Sequence, residues 1–276
     1  MRPHEGKSRV VPPSPPVPGV EGACACTGAC VKVISYRRVY ARQQAPMPAL
    51  TSAELDALRL SLEIALRSVV FSLPLAILVA YLLARSRFPG TLALDALVHL
   101  PLVLPPVAVG YLLLVSLDSR SAAGRWLLAH LGIELPFSAA GATLATAVMT
   151  FPLMVRAIRL ALESVDRGLE AAARTLGAGP VDRFFSITLP LMLPGILAGL
   201  LTAFAAGLGQ FGAVITFASN VPGVTRTLPL ALYSAIQEPG GEAMAMRLAV
   251  LSITLGILGL VLAELLARRV YRLLGR

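Results

Sequence analysis

Charge is scarce in this chain, and lysine is nearly missing. Asp, Glu, Lys and Arg make up 14% of its 276 residues, where soluble domains carry about a quarter. Both lysines, Lys7 and Lys32, lie near the start. The phosphate-cradling pattern G-x-x-x-x-G-K-[ST] is absent, so nucleotide hydrolysis through that loop is excluded. Cysteine is confined to Cys24, Cys26 and Cys30. A structural zinc site uses four ligands at familiar spacings, and only His4 lies near this C-x-C-x3-C run, so no metal site is expected. No disulfide can form beyond Cys30, and no redox compartment follows. Aromatics are only 6% of the chain. The net charge of +9 is therefore not interleaved with aromatics, as a nucleic-acid surface would be. No signal peptide is evident, because the first long apolar run lies far from the N-terminus and no small-residue cleavage site follows it.

What the chain has is hydrophobic length: 56% of residues are apolar. Five runs are long enough to span about 30 Å of hydrocarbon as helices: roughly 58–84, 92–117, 138–160, 191–216 and 246–267. A sixth run at 227–236 is too short. The second run carries Pro101, Pro105 and Pro106, which withdraw backbone donors and bend it. The fourth carries glycines at 195, 199, 207, 209 and 212, which let helices approach closely. Arg59, Glu63 and Arg67 sit at helical spacing and mark an interface, with charges paired four residues apart. His99 and His130 read as interfacial or packed histidines, and Trp126 fits an interface belt. Ionisable groups are nearly absent from the spans otherwise. A membrane enzyme would need converging catalytic groups there. An ion-driven transporter would need acids at mid-depth. The expected fold is an all-α integral membrane protein of about five transmembrane helices.

The polar exception is Ser164 to Pro190, SVDRGLEAAARTLGAGPVDRFFSITLP. Asp166 is placed to cap a helix, and Glu170 lies near the positive end of its dipole. Ala171, Ala172 and Ala173 favour helix. Gly177 can take the left-handed conformation that stops it. Pro180 suits the first position of a second short helix, and Pro190 is expected to close it. The expected result is helix, glycine elbow, helix, with an aromatic end at Phe184 and Phe185.

Glu-Ala-Ala, then glycine, then Ile187-x-Leu189-Pro190 resembles the signature loop of ABC-importer permeases, which have the type I permease fold. LPLVLPPVAVGYLLL (100–114), FPLMVRAIRLALESVD (151–166) and the run from Gly207 to Glu242 are similar to the molybdate permease subunits of that class, and the likeness covers about 55–267. The resemblance implies molybdate as cargo, with tungstate beside it. It implies a second copy of this chain, a pair of ABC ATPase subunits carrying ATP and Mg²⁺, an extracytoplasmic molybdate-binding protein, and no cofactor on this chain. It makes the loop at about 161–190 the ATPase-docking element, through Glu170, Ala171, Ala172, Ala173, Arg174, Leu176, Gly177, Pro180 and Phe184. It makes the second and fourth segments line the pathway, through Pro105, Pro106, Gly110, Tyr111, Gly209, Gln210, Phe211 and Gly212. Two departures stand out. The family commonly has Gly-Glu-Phe-Gly where this chain has Gly209-Gln210-Phe211-Gly212, and Glu170 lies seven residues before Gly177 instead of six. One residue is about 100° of helix rotation, so Glu170 is expected to face differently. A sulfate/thiosulfate permease is the rival reading within the class, and an ion-driven secondary transporter the rival outside it.

With the 164–190 loop in the cytosol of a bacterial inner-membrane protein, most arginines beyond residue 60 lie inside, as the positive-inside bias requires. The N-terminus then lies outside and the C-terminus inside. Residues 1–46 are rich in proline and arginine and lack helical period. They read either as a disordered regulatory tail or as a non-native extension before a true start at Met47. Their seven basic residues would have to be exported, which favours the second reading.

Overall fold

A computed structural model of the chain describes residues 51–86 and 89–273. The expectations for residues 1–46 and for Met47 fall outside these residues.

The first long helix, α1 (Ser52–Arg85), starts at a capping box. Thr51 Oγ1 accepts from the Glu54 amide at 3.4 Å, and Glu54 Oε2 accepts from the Thr51 amide at 2.8 Å. Two first-turn donors are thereby satisfied reciprocally. Inside the apolar core Ser68 and Ser72 donate to the carbonyls of Ala65 and Ser68, so neither hydroxyl is orphaned. A second long helix, spanning Ala139–Glu163, is capped by Ser138, which accepts from the Gly141 amide at 3.0 Å. At 25 residues it is about 37 Å long, enough to cross a bilayer.

The second expected run is two helices, not one bent helix. These are α2 (Thr91–Val103) and α3 (Pro106–Leu117), which meet at 114°. Pro105 and Pro106 supply no backbone donors where the first turn of α3 begins, and Pro at a first helical position costs nothing. A short helix, α4 (Ala122–Leu131), follows and is capped by Ser121. The helix 139–163 is then α5. The α2–α3 pair links opposite ends of α5. Asp95 of α2 meets Arg159 near the last turn of α5 at 3.1 Å, while Leu117 at the end of α3 lines a cavity with Leu135, Pro136 and Phe137, just before α5 begins.

The knuckle comprises α6 (Arg167–Thr175), α7 (Pro180–Arg183) and a π turn over Phe184–Thr188, which runs straight into α8 (Leu189–Leu208). Pro190 therefore opens α8 and closes nothing. Lacking an N–H, it cannot bond back to Ser186, and the wider turn ahead of it absorbs that missing bond. The fourth run also differs from expectation. It stops at Gly209 and resumes as α9 (Gly212–Phe217). After the short α10 (Leu228–Gln237), α11 (Glu242–Leu273) completes the described chain. Among the described residues four continuous helical stretches are long and apolar enough to cross a membrane, and the broken α2–α3 pair makes a fifth.

Two apolar clusters lie along α5. Toward its last turns Val69, Ala76 and Ala80 of α1 meet Met154, Ile158 and Leu162 of α5 and Met192 and Ile196 of α8. Toward its start Ile64, Val109, Ala142 and Ala145 meet Ala213, Val214 and Phe217 of α9. Small residues set the α5–α8 distance: a Cβ at Gly195 would lie 2.1 Å from that of Ala161. A third cluster joins Ala57 of α1, Leu228 and Ala231 of α10 and Leu248 of α11. Beside it Arg247 Nε reaches Glu54 Oε1 at 3.0 Å.

Candidate functional site

The knuckle forms as its local residues dictate. Asp166 Oδ1 accepts from the Gly168 amide at 2.8 Å and caps α6. Gly177 turns the chain with φ +86°, a conformation that costs a side-chain-bearing residue about 1–2 kcal/mol. Gly179 precedes Pro180 at the start of α7. No residue of α6 is fully buried. Leu169, Leu176, Val181 and Phe185 are exposed apolar side chains, Leu176 to 88%. With Ala171, Ala172 and Arg174, which are also exposed, they form an apolar face with basic groups at its edge. Such a face on a helical projection outside the spans has the chemistry of a helix-in-groove contact.

Two residues expected on that face point elsewhere. Glu170 Oε1 accepts from Arg85 Nη2 and from Thr188 Oγ1, both at 2.9 Å. This acid therefore faces its own chain. Phe184 packs edge-on against Tyr81 at 5.7 Å and against Phe185 at 5.2 Å, and joins the first apolar cluster. The exposed aromatic is Phe185. Ala173 is half-buried, while Gly177 and Pro180 are exposed at the elbow.

The pathway candidates divide by contact. Gly110 and Gly212 hold α3 and α9 together. A Cβ at Gly110 would lie 2.6 Å from the Ala213 carbonyl oxygen, and one at Gly212 would lie 2.8 Å from Pro106 Cβ. Pro105, Pro106 and Tyr111 are exposed on the α3 side of this contact. Gly209 is exposed, and Gln210 and Phe211 are half-buried at the break between α8 and α9. The Phe211 ring leans on Tyr233 of α10 at 5.1 Å. A charged cluster at the knuckle end was not legible in the sequence as a whole. There Asp95 Oδ1 lies 3.3 Å from His99 Nδ1 and 3.1 Å from Arg159 Nη1, and Arg159 Nε donates to Glu163 at 2.9 Å. Arg159 and Glu163 are four apart on one helix and were legible as a pair; Asp95 was not, because α2 comes from far away in sequence.

The spans, the broken second segment and the projecting knuckle coincide with a known family, the binding-protein-dependent transport system inner membrane component, which matches residues 72–272. The chain belongs to this family. Among curated relatives it is 58% identical over 219 residues to the Molybdenum transport system permease protein ModB of Escherichia coli (strain K12), covering 79% of this chain and 96% of that one. It is 52% identical over 223 residues to ModB of Haemophilus influenzae, covering 81% and 97%. Among solved structures, a bacterial ABC transporter involved in the import of the acidic polysaccharide alginate aligns with a TM-score of 0.66 at 16% identity, over 87% of this chain and 93% of that one. That likeness concerns the fold.

Proposed function

We propose that this chain is the membrane-spanning subunit of an ATP-driven importer of molybdate, with tungstate as a second cargo. The carrying observation is the identity of 58% to a molybdenum permease over 96% of that protein's length. In this reading the chain is not itself an enzyme. A pair of ABC ATPase subunits hydrolyses ATP with Mg²⁺, a second copy of the chain completes the pathway, and an extracytoplasmic molybdate-binding protein delivers the cargo. No cofactor belongs to this chain.

The knuckle face of Leu169, Ala171, Ala172, Arg174, Leu176, Gly177, Pro180, Val181 and Phe185 is the ATPase grip, with Ala173 at its edge. Charge supports placing it in the cytosol. Arg85, Arg156, Arg159, Arg167, Arg174, Arg183, Arg268 and Arg269 gather at this end, against Arg59, Arg120, Arg125, Arg226 and Arg247 at the other. The N-terminal end of α1 then faces outward and the C-terminus inward. The exposed side of the α3–α9 contact, with Pro105, Pro106, Tyr111, Gln210 and Phe211, lines the path with the second copy.

The test is uptake into proteoliposomes holding the chain, its ATPase and its binding protein. Labelled molybdate should accumulate with ATP and stop without it. Accumulation driven by a proton gradient alone would refute the reading. Sulfate outcompeting molybdate would shift the cargo to the sulfate class.

A further inference from the structure

We infer that Glu170 is the positioning residue that couples movement of the knuckle to the spanning helices, by holding α1 and α8 on one carboxylate oxygen. This deepens the import reading and rests on it. The ground is a convergence of three segments far apart in sequence. Arg85 is the last residue of α1, and Thr188 ends the π turn that opens α8. Both donate to Glu170 Oε1 at 2.9 Å. Arg85 is 12% exposed and Glu170 23%, and Thr188 is buried. A pair this shielded is screened far less than a surface ion pair.

Among the described residues, Glu170 makes the side-chain hydrogen bonds that leave α6 for the spanning helices; Thr175 bonds only to the Ala172 carbonyl within α6. With no residue of α6 fully buried, apolar packing holds this helix weakly. A force applied to its exposed face therefore reaches the bilayer through this carboxylate more than through packing. The two helices it holds are those joined by α5 in the first apolar cluster, so they move as one body. The Tyr81–Phe184 contact at 5.7 Å lies on the same two segments and keeps them in register while α6 swings. Glu170 thus acts at the joint between α6 and the spanning helices.

The experiment compares the assembled complex carrying wild-type chain, Glu170→Gln, Thr188→Val, Thr188→Ser, and the exchanged pair Arg85→Glu with Glu170→Arg. Three readouts are taken on each: recovery of the ATPase on purification, ATP hydrolysed, and molybdate taken up per ATP. With Glu170→Gln, recovery and hydrolysis should persist while uptake per ATP falls about tenfold, within the range of a coupling interaction. Thr188→Val should show the same split at smaller amplitude, Thr188→Ser should restore it, and the exchanged pair should recover part of the loss. A merely structural role would lower all three readouts together, and that result overturns the inference. Loss of ATPase recovery with hydrolysis would assign Glu170 to the grip and overturn it also. If Glu170→Gln fails to accumulate, Thr188→Val decides: wild-type coupling there overturns the inference. Wild-type chain that binds no ATPase and imports nothing would instead refute the import reading.

Discussion

Single atoms decide several contacts. At Gly110 a methyl group would meet the Ala213 carbonyl oxygen at 2.6 Å and Thr216 Cβ at 2.9 Å, backbone and helix side that cannot swing away. Gly110→Ala should force α3 from α9 and destabilise the detergent-solubilised protein by about 1–3 kcal/mol, the usual range for overpacking. Gly209→Ala is the control, since its nearest neighbour would stand at 3.8 Å, and its unfolding midpoint should stay at the wild-type value. Glu54 gives a second case. Its side chain is 0% exposed and its partner is Arg247. Arg247→Gln strands a buried charge and should cost roughly 3–5 kcal/mol. Glu54→Gln should cost less, because it removes the charge and leaves an amide oxygen to serve the Thr51 amide. Thermal unfolding of both variants checks the order; equal losses would mean that the charge is not what makes the site expensive.

Among elements, the knuckle is the most informative. A methyl group at Gly177 would touch nothing within 4 Å, yet φ is +86°, so Gly177→Ala isolates backbone cost. It should weaken the elbow by about 1–2 kcal/mol and reduce recovery of the ATPase on purification while α1, α5 and α8 unfold at an unchanged temperature. This element was readable because its signals are local: a carboxylate two residues before the glycine amide it caps, a left-handed glycine, a proline at a first turn. What was not readable depends on distant partners. The fourth run halts at Gly209, beside the contact of Phe211 with Tyr233 and the close approach of Gly212 to Pro106, neither visible within the run. Prolines foretold that the second run bends, but not that its two halves meet at 114°. Glu170 looked available because Arg85 lies 85 residues away. Phe184 looked terminal because Tyr81 belongs to another helix.

For the whole molecule, the central claim is that one end grips a nucleotide hydrolase in the cytosol and the other receives cargo outside. The α2–α3 pair joins opposite ends of α5, so counting it as a span puts the start of α1 and the end of α11 on opposite sides. Membership in the binding-protein-dependent family and the exposed Leu176 face agree with that arrangement. The most direct measurement is a single cysteine at Leu176 in a background where Cys24, Cys26 and Cys30 are replaced. In intact cells it should resist membrane-impermeant thiol reagents, and in membranes it should crosslink to the ATPase subunit, with a yield that changes when ATP is added. Labelling from outside the cell, without any crosslink to a nucleotide hydrolase, would contradict the account.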